Sequence, residues 1–153
     1  MRRILAARAA LTLLALALAG ALPREAPRAQ DLGPKLDLKP GQEVTFPVAI
    51  ADGRVTLGPA RASRPGTAQP KDGEITVSMV KHGLSPYADL TASEKTPAPV
   101  DFVATGLIDD IKIDEVVLCG RLDAPTTSRI ASGSWRISLN RFSVRQEGQE
   151  CRP

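Results

Sequence analysis

Aromatic residues are scarce in this chain of 153 residues: three Phe, one Tyr and one Trp. A core must therefore be built mainly from Val, Ile and Leu, and a sugar-binding surface of stacked aromatic rings lacks its raw material. There is a single histidine, His82, and there are two cysteines, Cys119 and Cys151. That leaves too few soft ligands for a zinc site once the cysteines pair with each other. No Gly-x-Ser-x-Gly elbow occurs, no glycine-rich phosphate loop, no sustained helical period and no internal repeat. The apolar run near the N-terminus, Ala9 to Leu22, falls short of the roughly 20 residues a membrane-spanning helix needs.

What is present at the N-terminus has three zones. Arg2, Arg3 and Arg8 are followed by the Leu/Ala run and then by a polar stretch from Pro23 to Gln30. That order predicts a secretory signal peptide over residues 1–29, with cleavage after Ala29, or after Ala21 in the small-residue stretch Ala19-Gly20-Ala21. The alternative is an uncleaved membrane anchor. The surroundings of Arg2-Arg3 do not fit a twin-arginine signal, and no Cys near the apolar run could carry a lipid. Cleavage after Ala29 removes five Arg and Glu25, taking the net charge from +3 to −1, so the pI of about 9.1 belongs to the precursor. A mature chain without basic surplus argues against nucleic-acid binding. The expected protein is periplasmic or secreted, with no stable membrane insertion after cleavage.

Residues 30–42 read as a lead-in and 43–153 as one β domain. Val44, Phe46, Val48 and Ile50 alternate with Glu43, Thr45, Pro47 and Ala49, the period of a half-buried strand. Pro47 cannot donate to a ladder, which predicts an edge position. Asp52-Gly53 follows, a two-residue hairpin turn. It sets Ala51 opposite Arg54, Ile50 opposite Val55 and Val48 opposite Leu57, apolar against apolar. Residues 58–73 read as a long loop or irregular edge strand. Further strands are expected around Ile75–Met79, Leu90–Lys95, Val100–Ile108, Ile111–Cys119 and Ser134–Gln146, with a loop at His82–Asp89 and a turn at Asp109-Asp110. In the last strand Trp135, Ile137 and Leu139 share one parity, whereas Phe142 and Val144 share the other. A β-bulge at Asn140-Arg141 would keep both sets inside, Trp135 included. About seven short strands predict an all-β, antiparallel-rich sandwich, with a small β-barrel as the alternative.

Export places Cys119 and Cys151 in an oxidising compartment, so a disulfide is expected between them. A simple hairpin of the Ile111–Cys119 and Ser134–Gln146 strands is incompatible with it. At about 3.3 Å per residue, Cys151 would project roughly 55 Å beyond Ser134, and a disulfide needs Cα atoms within about 7 Å. The two strands should therefore be parallel neighbours, or lie in opposite sheets with residues 120–133 crossing between them.

Candidate chemistry is thin. His82, Ser85 and Asp89 are residue types of a hydrolytic triad, but crowded onto one loop, where a polar surface turn is the simpler reading. Asp109, Asp110, Asp114 and Glu115 are oxygen ligands without the spacing of a calcium loop; a solvated charge ladder accounts for them. Arg136, Arg141 and Arg145 would share an outward face and could meet an anion or a partner, or pair with carboxylates across the sheet. No cofactor is implied. These residues favour a non-enzymatic module that binds an envelope protein or surface partner. The alternatives are a small secreted hydrolase using the His82 loop and a small-ligand carrier.

Overall fold

The computed structural model describes residues 34–152. The expected signal peptide and both expected cleavage positions lie outside them. The described residues form ten strands and no helix: β1 (Leu36–Leu38), β2 (Glu43–Ala51), β3 (Arg54–Leu57), β4 (Arg61–Ser63), β5 (Glu74–Lys81), β6 (Tyr87–Glu94), β7 (Val100–Ile108), β8 (Ile111–Leu118), β9 (Thr126–Ala131) and β10 (Arg136–Val144). One sheet has the order β1-β10-β7-β8; the other runs β3-β2-β5-β6-β9, with β4 also on β2. All pairings are antiparallel. The all-β sandwich expected from the strand pattern is present. The lead-in is more than a lead-in, because Leu36–Leu38 pairs with Ile137–Leu139 and Leu38 is fully buried.

The core is aliphatic, as the composition requires. Leu38, Ile75, Leu90, Ile130, Ile137 and Leu139 are fully buried between the sheets. The few aromatics join the two layers: Phe142 packs edge-on against Phe46, with ring centroids 5.9 Å apart, and stacks on Phe102 at 5.1 Å.

The β2–β3 hairpin has the register read from the sequence, Ile50 opposite Val55 and Val48 opposite Leu57. Asp52 and Gly53 both adopt positive φ, 51° and 72°, as a two-residue turn of this hand demands. The turn at Asp109-Asp110 also stands, and β7 lies between β10 and β8. The bulge stands too: the β10–β7 register shifts between Asn140 and Ser143, and Arg141 carries the extra residue at φ 52°.

Three expectations are corrected. Trp135 is not in the core; it is 64 % exposed. It precedes β10, and its backbone N–H makes a bond of 2.8 Å to Leu107 O at the rim of the sheet. Second, β2 is not an edge strand. It lies between β5 and the broken run of β3 and β4. Pro47 sits at the break, accepts the Gly58 N–H at 2.8 Å, and faces Gly58 so closely that a Cβ there would lie 3.0 Å from the proline ring. The missing donor is tolerated because the neighbouring ladder stops at that point. Third, the disulfide forms, with Cα atoms 5.6 Å apart, and the simple hairpin is absent. Yet β8 and β10 are neither neighbours nor in opposite sheets: they flank β7 in one sheet, and residues 120–133 leave for the other sheet as β9 and return.

β8 and β9 meet at the seam between the sheets without a backbone ladder. Side chains bridge it instead: Thr126 Oγ1 donates to Cys119 O (2.7 Å), Ser128 Oγ to Val117 O (3.2 Å), and the Ala131 N–H to Asp114 Oδ2 (2.7 Å). Residues 58–73 are held from below by two buried glutamates. Glu43 accepts Ser63 Oγ (3.0 Å), Gly66 N (2.8 Å) and Ala68 N (2.7 Å). Glu74 takes Arg61 at 2.7 Å and Lys71 N at 3.1 Å, and its carboxyl lies below the usual range, first because of Arg61 and then because of that amide.

Candidate binding surface

At one end of the sandwich three connections come together: the loop between β5 and β6, the β7–β8 turn and the β9–β10 turn. Short polar residues tie them into one rim. The Ser132 N–H donates to Pro86 O at 2.9 Å and Ser132 Oγ to Ser85 O at 2.8 Å. The Arg136 guanidinium donates to Asp109 O (3.1 Å) and Asp110 Oδ1 (2.7 Å), and lies 3.6 Å from Asp37. On this rim stand Leu84, fully exposed, with Ile111, Tyr87 and Trp135 more than half exposed. Val80 and Ile113 are partly exposed on the strands just behind. Six of the eight large apolar side chains exposed among the described residues thus gather at one end. The backbone presents them: Gly83 at φ 54° turns the chain so that Leu84 points off the tip.

The loop expected over His82–Asp89 is shorter, because β6 begins at Tyr87; it carries His82 and Ser85, whereas Asp89 lies on β6. His82 Nε2 and Asp89 Oδ2 are 3.0 Å apart, and Arg129 Nε lies 3.9 Å from Asp89 Oδ1. Ser85 is turned to another task. Its Oγ accepts the Tyr87 N–H at 3.1 Å, and its own N–H closes the turn on His82 O at 3.0 Å. The structure therefore brings His82, on the loop, within reach of Asp89, on β6, with the Ser85 hydroxyl bonded to main chain.

The four acids of β8 and its turn are spread over separate partners. Asp110 pairs with Arg136, Asp114 accepts the Glu115 N–H (2.8 Å) as well as that of Ala131, and Glu115 takes Lys112 at 2.9 Å and Arg141 at 2.6 Å. Hydrogen bonds from Lys112 first, and then Arg141, hold the Glu115 carboxyl below its ordinary range. Asp109 takes the positive φ of the turn at 53°. Among the described residues no three metal-ligating side chains converge. Of the three arginines, Arg136 and Arg141 form these surface pairs, and Arg145 turns inward to Asp101 at 3.6 Å.

Reading periodicity alone missed Leu84, Tyr87 and Ile111 as a surface. The signal was there for Leu84: it stands in Gly83-Leu84-Ser85-Pro86, among turn formers that offer no strand neighbour to bury it. No family model, curated protein or solved structure matches the chain. Among the described residues no helix is long and apolar enough to cross a membrane.

Proposed function

We propose that this chain is an exported, non-enzymatic module of the bacterial envelope, periplasmic or secreted, that binds an envelope protein or surface partner through the rim of Leu84, Tyr87, Ile111 and Trp135. The observation that carries this reading is the concentration of exposed apolar side chains on three loops that are hydrogen-bonded to one another. Contiguous exposed apolar groups with a polar surround are the usual mark of an interaction surface, and Trp and Tyr are the residues that anchor such contacts. The leader-like residues 1–29 and the Cys119–Cys151 bridge support the compartment. The test places a photocrosslinking residue at position 84 and, as a control, at position 52 on the opposite end. The reading requires partner adducts from 84 in intact envelopes, lost on Trp135→Ser, and none from 52. Equal labelling from both positions refutes it.

The second reading, a hydrolase, draws on the His82–Asp89 contact. His82→Ala separates the two: a binder keeps its adducts, whereas a hydrolase loses its turnover.

A further inference from the structure

At the end of the sandwich opposite the rim, two buried carboxyl side chains and one partly buried guanidinium surround one glycine. Asp101, on β7, is 1 % exposed and accepts the Gly120 N–H at 2.9 Å. Arg145, just past β10, donates from its guanidinium to Gly120 O and lies 3.6 Å from Asp101 Oδ1. Glu94, the last residue of β6, is 7 % exposed; its Oε2 accepts the Val100 N–H at 3.2 Å, and its Oε1 has no partner. A Cβ on Gly120 would stand 2.5 Å from Glu94 Oε1 and from Val100 O, so only glycine lets the chain lie between them. Gly120 adjoins Cys119. The C-terminal tail is thus held at two places that converge on residues 119–120, by the Arg145 guanidinium at its start and by the disulfide from Cys151 near its end.

The charges do not balance. Two carboxylates face one guanidinium, and an uncompensated charge in a buried site is strongly disfavoured. A proton on one carboxyl removes the excess. Asp101 has both the Gly120 N–H and Arg145 to stabilise its anion, whereas Glu94 has only uncharged help, a long Val100 amide bond and the Thr96 hydroxyl, and an oxygen without a partner, so Glu94 is the carboxyl that holds the proton. We propose that Glu94, Asp101 and Arg145 form a protonation-gated clasp on the C-terminal tail, locked while Glu94 is neutral and loosened when both carboxyls ionise. The tail is one wall of a cleft of about 620 Å³, whose other wall is Pro97, Ala98 and Pro99. The Arg145 N–H bonds Pro99 O across it at 2.9 Å, so the clasp also sets the width of this cleft.

The electrostatics agree with the geometry. Burial pushes the Glu94 carboxyl up to about 7, against the Val100 amide and the Thr96 hydroxyl; Asp101 raises it further and Arg145 opposes. Burial raises Asp101 as well, against Gly120 and Arg145. Asp101 and Arg145 are the charged groups that face Glu94; Thr96, Val100 and Gly120 face it uncharged. A carboxyl raised in the closed form favours that form below its ordinary value, and the preference is lost as pH rises through neutrality.

The test is amide exchange of residues 145–152 in the full exported chain, corrected for the intrinsic pH dependence of exchange, at pH 5.5 and 8.5. Wild type should show the tail-opening constant rising roughly 30-fold between these values, and Glu94→Gln, which fixes the neutral form, should show almost no rise. Parallel behaviour of the two proteins, or no rise in wild type, overturns the proposal. Should the variant not fold, the carboxyl ¹³C shift of Glu94 in wild type decides: titration near neutrality supports the clasp, and titration below about pH 5 overturns it.

Discussion

Around Cys119, main chain, charge and a covalent bond converge on a glycine that admits no side chain; around Leu84, at the other end of the same strands, large apolar groups stand in solvent. Both ends are made of connections between strands of the same two sheets. They differ in what the loop residues are asked to satisfy. At the Cys119 end the loops cover strand ends and bury Glu94 and Asp101, so each polar atom needs a partner inside the protein. At the Leu84 end the loops bond mainly to one another through Ser132, Arg136 and main-chain carbonyls, which leaves their apolar side chains free. Stability should therefore respond to changes at the first end, and recognition to changes at the second.

The largest expected effect comes from removing the covalent bond. Replacing Cys119 and Cys151 together with Ser should lower unfolding free energy by about 3 kcal/mol, the order expected for a loop of this length. Urea denaturation measures it, and reductant should reproduce it in wild type. A loss well under 1 kcal/mol would mean that the buried charges alone hold the tail. Next comes Gly120→Ala. Its methyl group would meet Glu94 Oε1 and Val100 O at 2.5 Å, the second of them backbone that cannot move aside cheaply, and a loss of about 1–3 kcal/mol is expected. Third is Gly53→Val in the β2–β3 turn, where φ is 72°. A β-branched residue resists that conformation by about 1–2 kcal/mol, seen as a lower thermal midpoint. The smallest effect on stability belongs to the rim. Leu84→Ser and Trp135→Ser should each shift unfolding by no more than about 0.5 kcal/mol, while Trp135→Ser abolishes the partner adducts from position 84. A loss above 1 kcal/mol would place these side chains in packing and erase the contrast between the ends.

The parts legible in the sequence are those in which two local signals agree. Asp52-Gly53 turn chemistry and the parity of Val48, Ile50, Val55 and Leu57 select the same register, and it is the register found. The parity slip between Leu139 and Phe142 revealed the bulge at Arg141. Trp135 was misplaced because parity has meaning only inside a strand, and β10 begins one residue later, at Arg136. Pro47 was misplaced because an absent donor is tolerated equally by an open edge and by a gap in the neighbouring strand, and that gap lies at Gly58, outside the local pattern. The buried carboxylates were invisible for a similar reason. Glu43 finds its donors at Ser63, Gly66 and Ala68, and Asp101 finds its own at Gly120, separations over which a single sequence carries no pairing signal. The rim was half legible: Leu84 and Tyr87 fall in the expected loop, Leu84 plainly among turn formers, whereas Ile111 reads as an ordinary strand residue until the loops are seen to meet.

The break between β3 and β4 has a consequence for how copies of this protein behave when crowded. A long, straight outer strand offers an unpaired row of donors and acceptors on which another chain can grow as a further strand. Here the outer run is four residues, then Gly58-Pro59-Ala60, then three residues. On β2, Leu57 sits opposite Val48 and Ala62 opposite Val44, so the outer run carries one residue more than the strand it follows. An incoming strand in register with the first piece is out of register with the second. Pro47 and Gly58, which make that step possible, thus interrupt the template from which fibres and sheet-to-sheet aggregates would be seeded.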